Sequence, residues 1–294
     1  MPETQWTAAD VGDQTGRTFI VTGANSGLGE VTALTLAGAG AQVILACRNV
    51  EKANVVAAEI GANATVRQLD LSDLASVRAF ANSVDGVDVL INNAGVMALP
   101  LRRTADGFEM QIGTNHLGHF ALTGLLFDKI RDRVVTMSSG LHAYGSIDLD
   151  DLNWEHRRYD RWRAYGQSKL ANLMFTYELQ RRLDAAGSSV RSVAAHPGYA
   201  ATGLQAHTES IFDRLMSVGN RLIAQSAEMG ALPGLFAATA PDAEGGRFYG
   251  PRGLGNLRGH PVKVGSTKKS KDEDVAAKLW TLSERLTGVT NFIT

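Results

Sequence analysis

Seven short apolar runs, each followed by a longer stretch of helical period, most restrict the folds open to this chain; they fall at 18–21, 42–46, 65–69, 87–91, 133–137, 190–195 and 247–249. A strand that returns parallel to its neighbour needs a crossover of helix length, so this alternation predicts an α/β fold. The expected architecture is a doubly wound, seven-stranded parallel sheet with helices on both faces. Between the runs, Ser72 is placed to cap a helix carrying Leu74, Val77 and Phe80, and Leu170, Leu173, Met174 and Tyr177 share one face of a long helix. No repeat or linker interrupts the pattern, and with 44% hydrophobic side chains the chain can bury one large core, so 1–294 is expected to form a single domain. The glycine-rich stretch 245–259 is expected to form turns around the last strand.

Charge and cysteine usage narrow the function. Lys plus Arg count 29 and Asp plus Glu 30, for a net charge of -1, which gives no footprint for nucleic acid or an anionic membrane. The expected partner is a small molecule. Cys47 is the only cysteine, which excludes an internal disulfide framework and suits a reducing, cytoplasmic setting. Glu3, Asp10 and Asp13 precede the first basic residue, Arg17, so no export signal is expected. The uncharged stretch 31–47 is too short for a membrane span and is broken by Gly38, Gly40 and Gln42. His116 and His119 could share a helix face, yet no carboxylate or thiol joins them at metal-ligand spacing, and no metal site is expected.

In open parallel sheets ligands bind beyond the carboxyl ends of the strands, which makes the residues after each run informative. The first run leads into Thr22, Gly23, Ala24, Asn25, Ser26, Gly27, Leu28 and Gly29, where glycines let the backbone approach a pyrophosphate at a helix amino end. The spacing is not the common G-x-G-x-x-G, and alone it could be a ligand-free strand-to-helix turn. After the second run comes Arg48 where an acidic residue would hold a ribose diol. A planar, permanently charged fork suits a 2′-phosphate, so NADP(H) is expected over NAD(H), the lesser alternative being a solvated surface arginine. Asp70 and Leu71 follow the third run, with Asp70 able to accept from the adenine amino group; Asn93, Ala94 and Gly95 follow the fourth. Each could instead be an ordinary turn.

The chemical constellation is Tyr165 and Lys169, whose i,i+4 spacing puts phenol and ammonium on one helix face. A free tyrosine titrates near pH 10, and a neighbouring cation is expected to lower that value toward a useful range. Ser139, at the end of the fifth run, can hydrogen-bond a substrate oxygen as charge develops, and Asn115 adds a polar group in the preceding helix. Taken singly, each could be structural.

Together, Thr22 to Gly29, Asn92 to Gly95, Asn115, Ser139, Tyr165 to Lys169 and Pro197-Gly198 up to Thr202 resemble the short-chain dehydrogenase/reductase family, in that family's order. The resemblance implies a Rossmann fold and hydride transfer between nicotinamide and a carbonyl or alcohol. Tyr165 would be the acid/base, Lys169 would bind the nicotinamide ribose and lower the tyrosine pKa, Ser139 would orient the carbonyl, and Asn115 would hold a relay water. Asn93 would lie along the cofactor, Pro197 and Gly198 beside the nicotinamide, and Thr202 near its carboxamide. Residues 141–145, 150–153 and 167–172 resemble the retinol dehydrogenase and WW-domain-containing oxidoreductase branch, in a form similar to its soluble bacterial members. A dimer or tetramer is implied by the same resemblance.

The 26 positions from Ser139 to Tyr165 indicate an insertion beside the site, in which Trp154, Tyr159 and Trp162 could line the mouth or serve structure. Residues 203–240 are expected to act as substrate lid helices, with Leu204, Ile211, Phe212, Leu215, Met216 and Leu222 at helical spacing favouring an apolar substrate. Residues 268–294 read as a C-terminal helix with acids in its first turn, and a tail. Reduction of a carbon-carbon double bond, or a catalytically idle NADP(H) sensor, are the alternatives.

Overall fold

The computed structural model describes residues 5–199, 225–290 and 293. Thr202 and the stretch 203–224 therefore lie outside the described residues. The strands are β1 Thr18–Thr22, β2 Gln42–Cys47, β3 Ala64–Gln68, β4 Val87–Asn92, β5 Ile130–Met137, β6 Arg191–Ala195, β7 Phe248–Pro251 and β8 Pro261–Lys263. They form one sheet in the order β3-β2-β1-β4-β5-β6-β7-β8, parallel except for the β7–β8 pair. The eighth strand is a difference from the expected seven. It is three residues long and pairs Tyr249 with Lys263 and Pro251 with Pro261, so its hydrogen-bonding partner, not its own pattern, makes it a strand.

Strand order reverses between β1 and β4, which pair in register from Phe19 and Val89 to Val21 and Ile91. A crevice opens at the carboxyl ends of strands on either side of such a reversal. The period-2 alternation sends Phe19 and Val21 to one face and Ile20 to the other, and each face has its own helical cover. On the first lie α1 (Gly27–Gly38) and α2 (Val50–Ile60). On the second lies α3 (Leu74–Asn82), with α4, a helical run made of Met110–Ile112, the π segment Gly113–Leu117 and Gly118–Leu126. It is joined there by α5 (Arg161–Ala185). α6 (Ala227–Thr239) packs on the first face beside α1, and α7 (Glu273–Thr287) stacks Trp280 on Phe175 of α5. The described part of 203–240 is thus a scaffold helix under the sheet.

Local chemistry sets where two of these helices begin. α5 starts at Asp160, whose carboxylate accepts from the N–H groups of Trp162 and Arg163 at 3.0 and 2.8 Å. α3 starts at Asp73, not Ser72: Asp73 accepts from Ala75 and Ser76. The Ser72 hydroxyl is instead turned back onto Asp70 Oδ1 at 2.6 Å, and that local bond competes with a capping role. Among the described residues no helix is long and apolar enough to cross a membrane.

Candidate active site

At the strand-order reversal a cleft of about 620 Å³ is lined by Gly23, Asn25, Ser26, Gly27, Leu28 and Gly29 from the first turn. Arg48, Asp70, Leu71, Asn93, Ala94, Gly95, Tyr165, Lys169 and Pro197 also line it. The turn after β1 needs its glycines. Gly23 sits at φ +67°, and a Cβ on Gly29 would fall 2.3 Å from the Gly23 carbonyl oxygen and 2.6 Å from Asn93 Nδ2. Asn93 does not simply edge the cleft. Its side chain donates to the Thr22 carbonyl at 2.8 Å, and the Asn93 and Ala94 N–H groups both donate to Thr22 Oγ1 at 2.9 Å.

Arg48 is exposed at the mouth, next to Asn49, whose side chain caps α2, and near Lys52. Asp70 lines the cleft, but its Oδ1 already takes the Ser72 N–H at 2.9 Å and the Ser72 hydroxyl. Gly198, at φ +67°, approaches the Leu257 carbonyl so closely that a Cβ would lie 2.4 Å from it, and it does not line the cleft; Pro197 does, its carbonyl held by Gln225 Nε2 at 2.6 Å.

The reacting end is built where α5 meets the ends of β4 and β5. Tyr165 and Lys169 are buried, one turn apart, and the ammonium lies 5.7 Å from the phenol ring centre. Lys169 Nζ donates to the Met137 carbonyl at 3.2 Å, a carbonyl that also receives Asn172 Nδ2. The Ser139 side chain bears on the phenol and pulls its pKa down, and Ser139 Oγ accepts from Leu141 N at 3.2 Å. Ser139 reaches the phenol because the turn that follows is pressed onto α5. A Cβ on Gly145 would lie 2.3 Å from the Gly166 carbonyl oxygen, and Gly166 is the residue after Tyr165. Gly145→Ala must therefore push the serine turn off the helix, and we expect a lower Tm together with at least a tenfold loss of turnover, about 1.4 kcal/mol. Turnover and Tm both at wild-type values would show the contact to be dispensable.

The electrostatics differ from the sequence expectation. Burial pushes the Tyr165 phenol up to about 12, with the Ser139 side chain pulling the other way, and Lys169 is not what sets it. Burial also pulls the Lys169 ammonium down to about 8 from 10.5. Between those two values the unfolded chain binds more protons than the folded one, so this lysine makes stability rise with pH from about 8 to about 10.5, with its full penalty below pH 8. Lys169→Met should accordingly gain up to about 3 kcal/mol at pH 7 relative to its effect at pH 10, read by urea unfolding. A mutational effect independent of pH would contradict this.

Asn115 is fully buried in the π segment, with its side chain spent on structure: Oδ1 accepts from Val96 N at 2.8 Å, and Nδ2 donates to the Val96 carbonyl and Ser168 Oγ, each at 2.9 Å. Any relay through Asn115 is thereby restricted to its main-chain carbonyl. Gly95 packs against the same group, its Cβ position being 3.2 Å from Asn115 Oδ1 and 3.4 Å from Lys169 Nζ.

Other functional supports carried no sequence signal. Glu109 is wholly buried; its carboxylate accepts from Gln111 N and Ile112 N, and the Tyr159 hydroxyl lies 3.0 Å from both Glu109 Oε1 and the Leu99 carbonyl. Burial raises the Glu109 pKa. This latch fixes the insertion to the cleft wall at Leu99. Within it Trp154 is buried edge-on against Tyr159, Trp162 is exposed, and neither lines the cleft. His142 donates through Nδ1 to the Ser139 carbonyl at 2.7 Å while Nε2 accepts from Thr267 N, which ties the serine turn to the segment ahead of α7.

With this geometry in hand, comparison with known proteins is decisive: the family model for short chain dehydrogenase matches residues 17–211. The chain belongs to the short-chain dehydrogenase/reductase family. It is 42% identical over 294 residues to human retinol dehydrogenase 13, covering 93% of this chain and 85% of that protein. It is 39% identical over 307 residues to mouse retinol dehydrogenase 14, covering 95% and 88%. These place it in the retinol dehydrogenase-like branch. Among solved structures, an uncharacterized protein from Mycobacterium paratuberculosis is 52% identical, with a TM-score of 0.86 over 97% of this chain and 98% of that one. A protein described as an NAD(P) dependent gluconate 5-dehydrogenase from Beutenbergia cavernae, with bound NADP, is 27% identical at a TM-score of 0.63, over 80% and 95%. An oxidoreductase using a nicotinamide dinucleotide is what membership supports.

Proposed function

We propose that this chain is an NADPH-dependent reductase of apolar aldehydes or ketones, acting as a single cytoplasmic domain over 1–294. The observation that carries the reading is the Tyr165 phenol, buried one helical turn from Lys169 in the cleft that the glycine turn lines, with Ser139 acting on its ionisation. The cleft's residues fit the cofactor: Gly29 admits the Gly23 carbonyl where any side chain would block it, α1 offers its amino end, and Arg48 and Lys52 carry the charge a 2′-phosphate requires. When bound, the cofactor supplies the hydride. Tyr165 donates the proton to the substrate oxygen, and its phenol, held protonated at neutral pH, suits the reductive direction. The Ser139 hydroxyl donates to the same oxygen as negative charge grows there. Lys169, which lines the same cleft, would bind the cofactor ribose through its ammonium.

Leu99, Val96, Met110 and Met137 line the cleft beside these polar groups and favour an apolar substrate. The retinol dehydrogenase relatives make all-trans-retinal the first compound to try. The test is purified protein with NADPH or NADH against all-trans-retinal, decanal, benzaldehyde and a naphthoquinone, following loss of reduced-nicotinamide absorbance and identifying the product. Formation of the alcohol supports the reading. A saturated carbon-carbon bond with the carbonyl intact, or no turnover despite tight NADPH binding, would replace it.

A further inference from the structure

His119 lies at 1% exposure in α4, does not line the cleft, and has both ring nitrogens occupied. Nδ1 is 3.0 Å from the Asn115 main-chain carbonyl, and Nε2 is 3.0 Å from Thr22 Oγ1. The carbonyl can only accept, so Nδ1 must carry the hydrogen and Nε2 must accept. Thr22 Oγ1 already receives the N–H groups of Asn93 and Ala94, so its single proton goes to Nε2, closer than the alternative Ile91 carbonyl at 3.4 Å. Every hydrogen in this chain of bonds therefore has one direction. It runs from the turn that flanks the glycine cradle, through one imidazole, to the carbonyl of the residue packed beside Gly95 and Lys169.

We infer that His119, as a neutral Nδ1–H tautomer, is a positioning residue that holds the nucleotide-binding turn and the Asn115–Lys169 wall of the catalytic centre in one register. The inference rests on the reductase reading above. The π segment explains why a side chain is needed here: Gly118 N bonds to Gly113 O, five residues back, so the helix ladder is widened where Asn115 sits, and a ring N–H fixes its carbonyl. Burial, with Lys169 and His116 adding to it, holds His119 down to about 3, which keeps the ring neutral and its tautomer set. A partly satisfied buried network is worse than a fully satisfied one, so breaking either link should be felt at the end it served.

The two links can be cut separately. Asparagine places an amide nitrogen as many bonds from the backbone as Nδ1, and glutamine an amide oxygen as many as Nε2. His119→Gln keeps the partner of Thr22 and loses that of Asn115, and should lower kcat for all-trans-retinal about 10- to 100-fold with NADPH Kd raised less. His119→Asn does the reverse, raising NADPH Kd about tenfold with a smaller effect on kcat. Imidazole nitrogen NMR of selectively histidine-labelled wild type should show one ring that stays neutral and Nδ1-protonated across the neutral range and vanishes in both variants. The inference is overturned if that ring is the other tautomer, or if both variants lose kcat and Kd in the same proportion. It is also overturned if only Tm moves, with kcat and Kd per folded molecule at wild-type values. A wild type that binds NADPH but reduces no carbonyl would sink the reductase reading instead, while the NMR and Kd measurements would still decide the role of His119.

Discussion

Tyr165→Phe should lower kcat for aldehyde reduction about a thousandfold, a loss of about 4 kcal/mol of transition-state stabilisation, while leaving NADPH binding within about threefold. The substitution keeps the ring that α5 buries and removes only the hydroxyl, so folding is preserved and the proton donor is gone. The pH dependence should separate the two directions. Reduction needs the phenol, whose pKa burial holds up to about 12, and should stay level through neutral pH; alcohol oxidation needs the phenolate and should climb as pH rises. Ser139→Ala should show a smaller loss in both directions, because it removes a hydrogen bond to the oxygen and leaves the proton in place. Stopped-flow measurement of nicotinamide oxidation isolates the chemical step. Undiminished turnover in Tyr165→Phe would leave Tyr165 a core residue and return the chain to the idle-sensor alternative.

The parallel sheet was legible in sequence because burial on both faces writes strands as unbroken apolar runs, and such runs bounded by turns are hard to mistake. Most of the cleft-lining residues were legible because in this fold the crevice opens beyond the strand ends. What the sequence left hidden was set by neighbours distant in the chain. β8 is three residues that pair only because β7 presents an edge. The cap of α3 moved from Ser72 to Asp73 once Asp70 captured the serine hydroxyl. Spacing put Tyr165 and Lys169 on one face, yet it could not say that both would be buried, and burial drives the two pKa values apart, the phenol up and the ammonium down, rather than letting the ammonium acidify the phenol. His119, His142 and Glu109 read as ordinary polar residues of helix or turn. Their partners are 97, 125 and 50 positions away respectively, at Thr22, Thr267 and Tyr159.

Arg48→Asp should cut the ratio of kcat/KM for NADPH over NADH by about 100- to 1,000-fold, some 3–4 kcal/mol. Two effects add. The variant loses a charge-assisted pair with the 2′-phosphate, and it sets a carboxylate against a group carrying negative charge of its own. The carboxylate can instead accept from the hydroxyls of an unphosphorylated ribose, so NADH turnover should hold or improve while NADPH turnover collapses. Because Arg48 is exposed, its contribution is open to screening, and the wild-type preference should shrink as ionic strength is raised. Lys52 lines the same part of the cleft and leaves some cationic field behind, so Arg48→Asp/Lys52→Ala should complete the reversal. A ratio unmoved by the single charge reversal would assign the 2′-phosphate, if one is bound at all, to other groups, and would make Arg48 a solvated residue beside the entrance to the cleft.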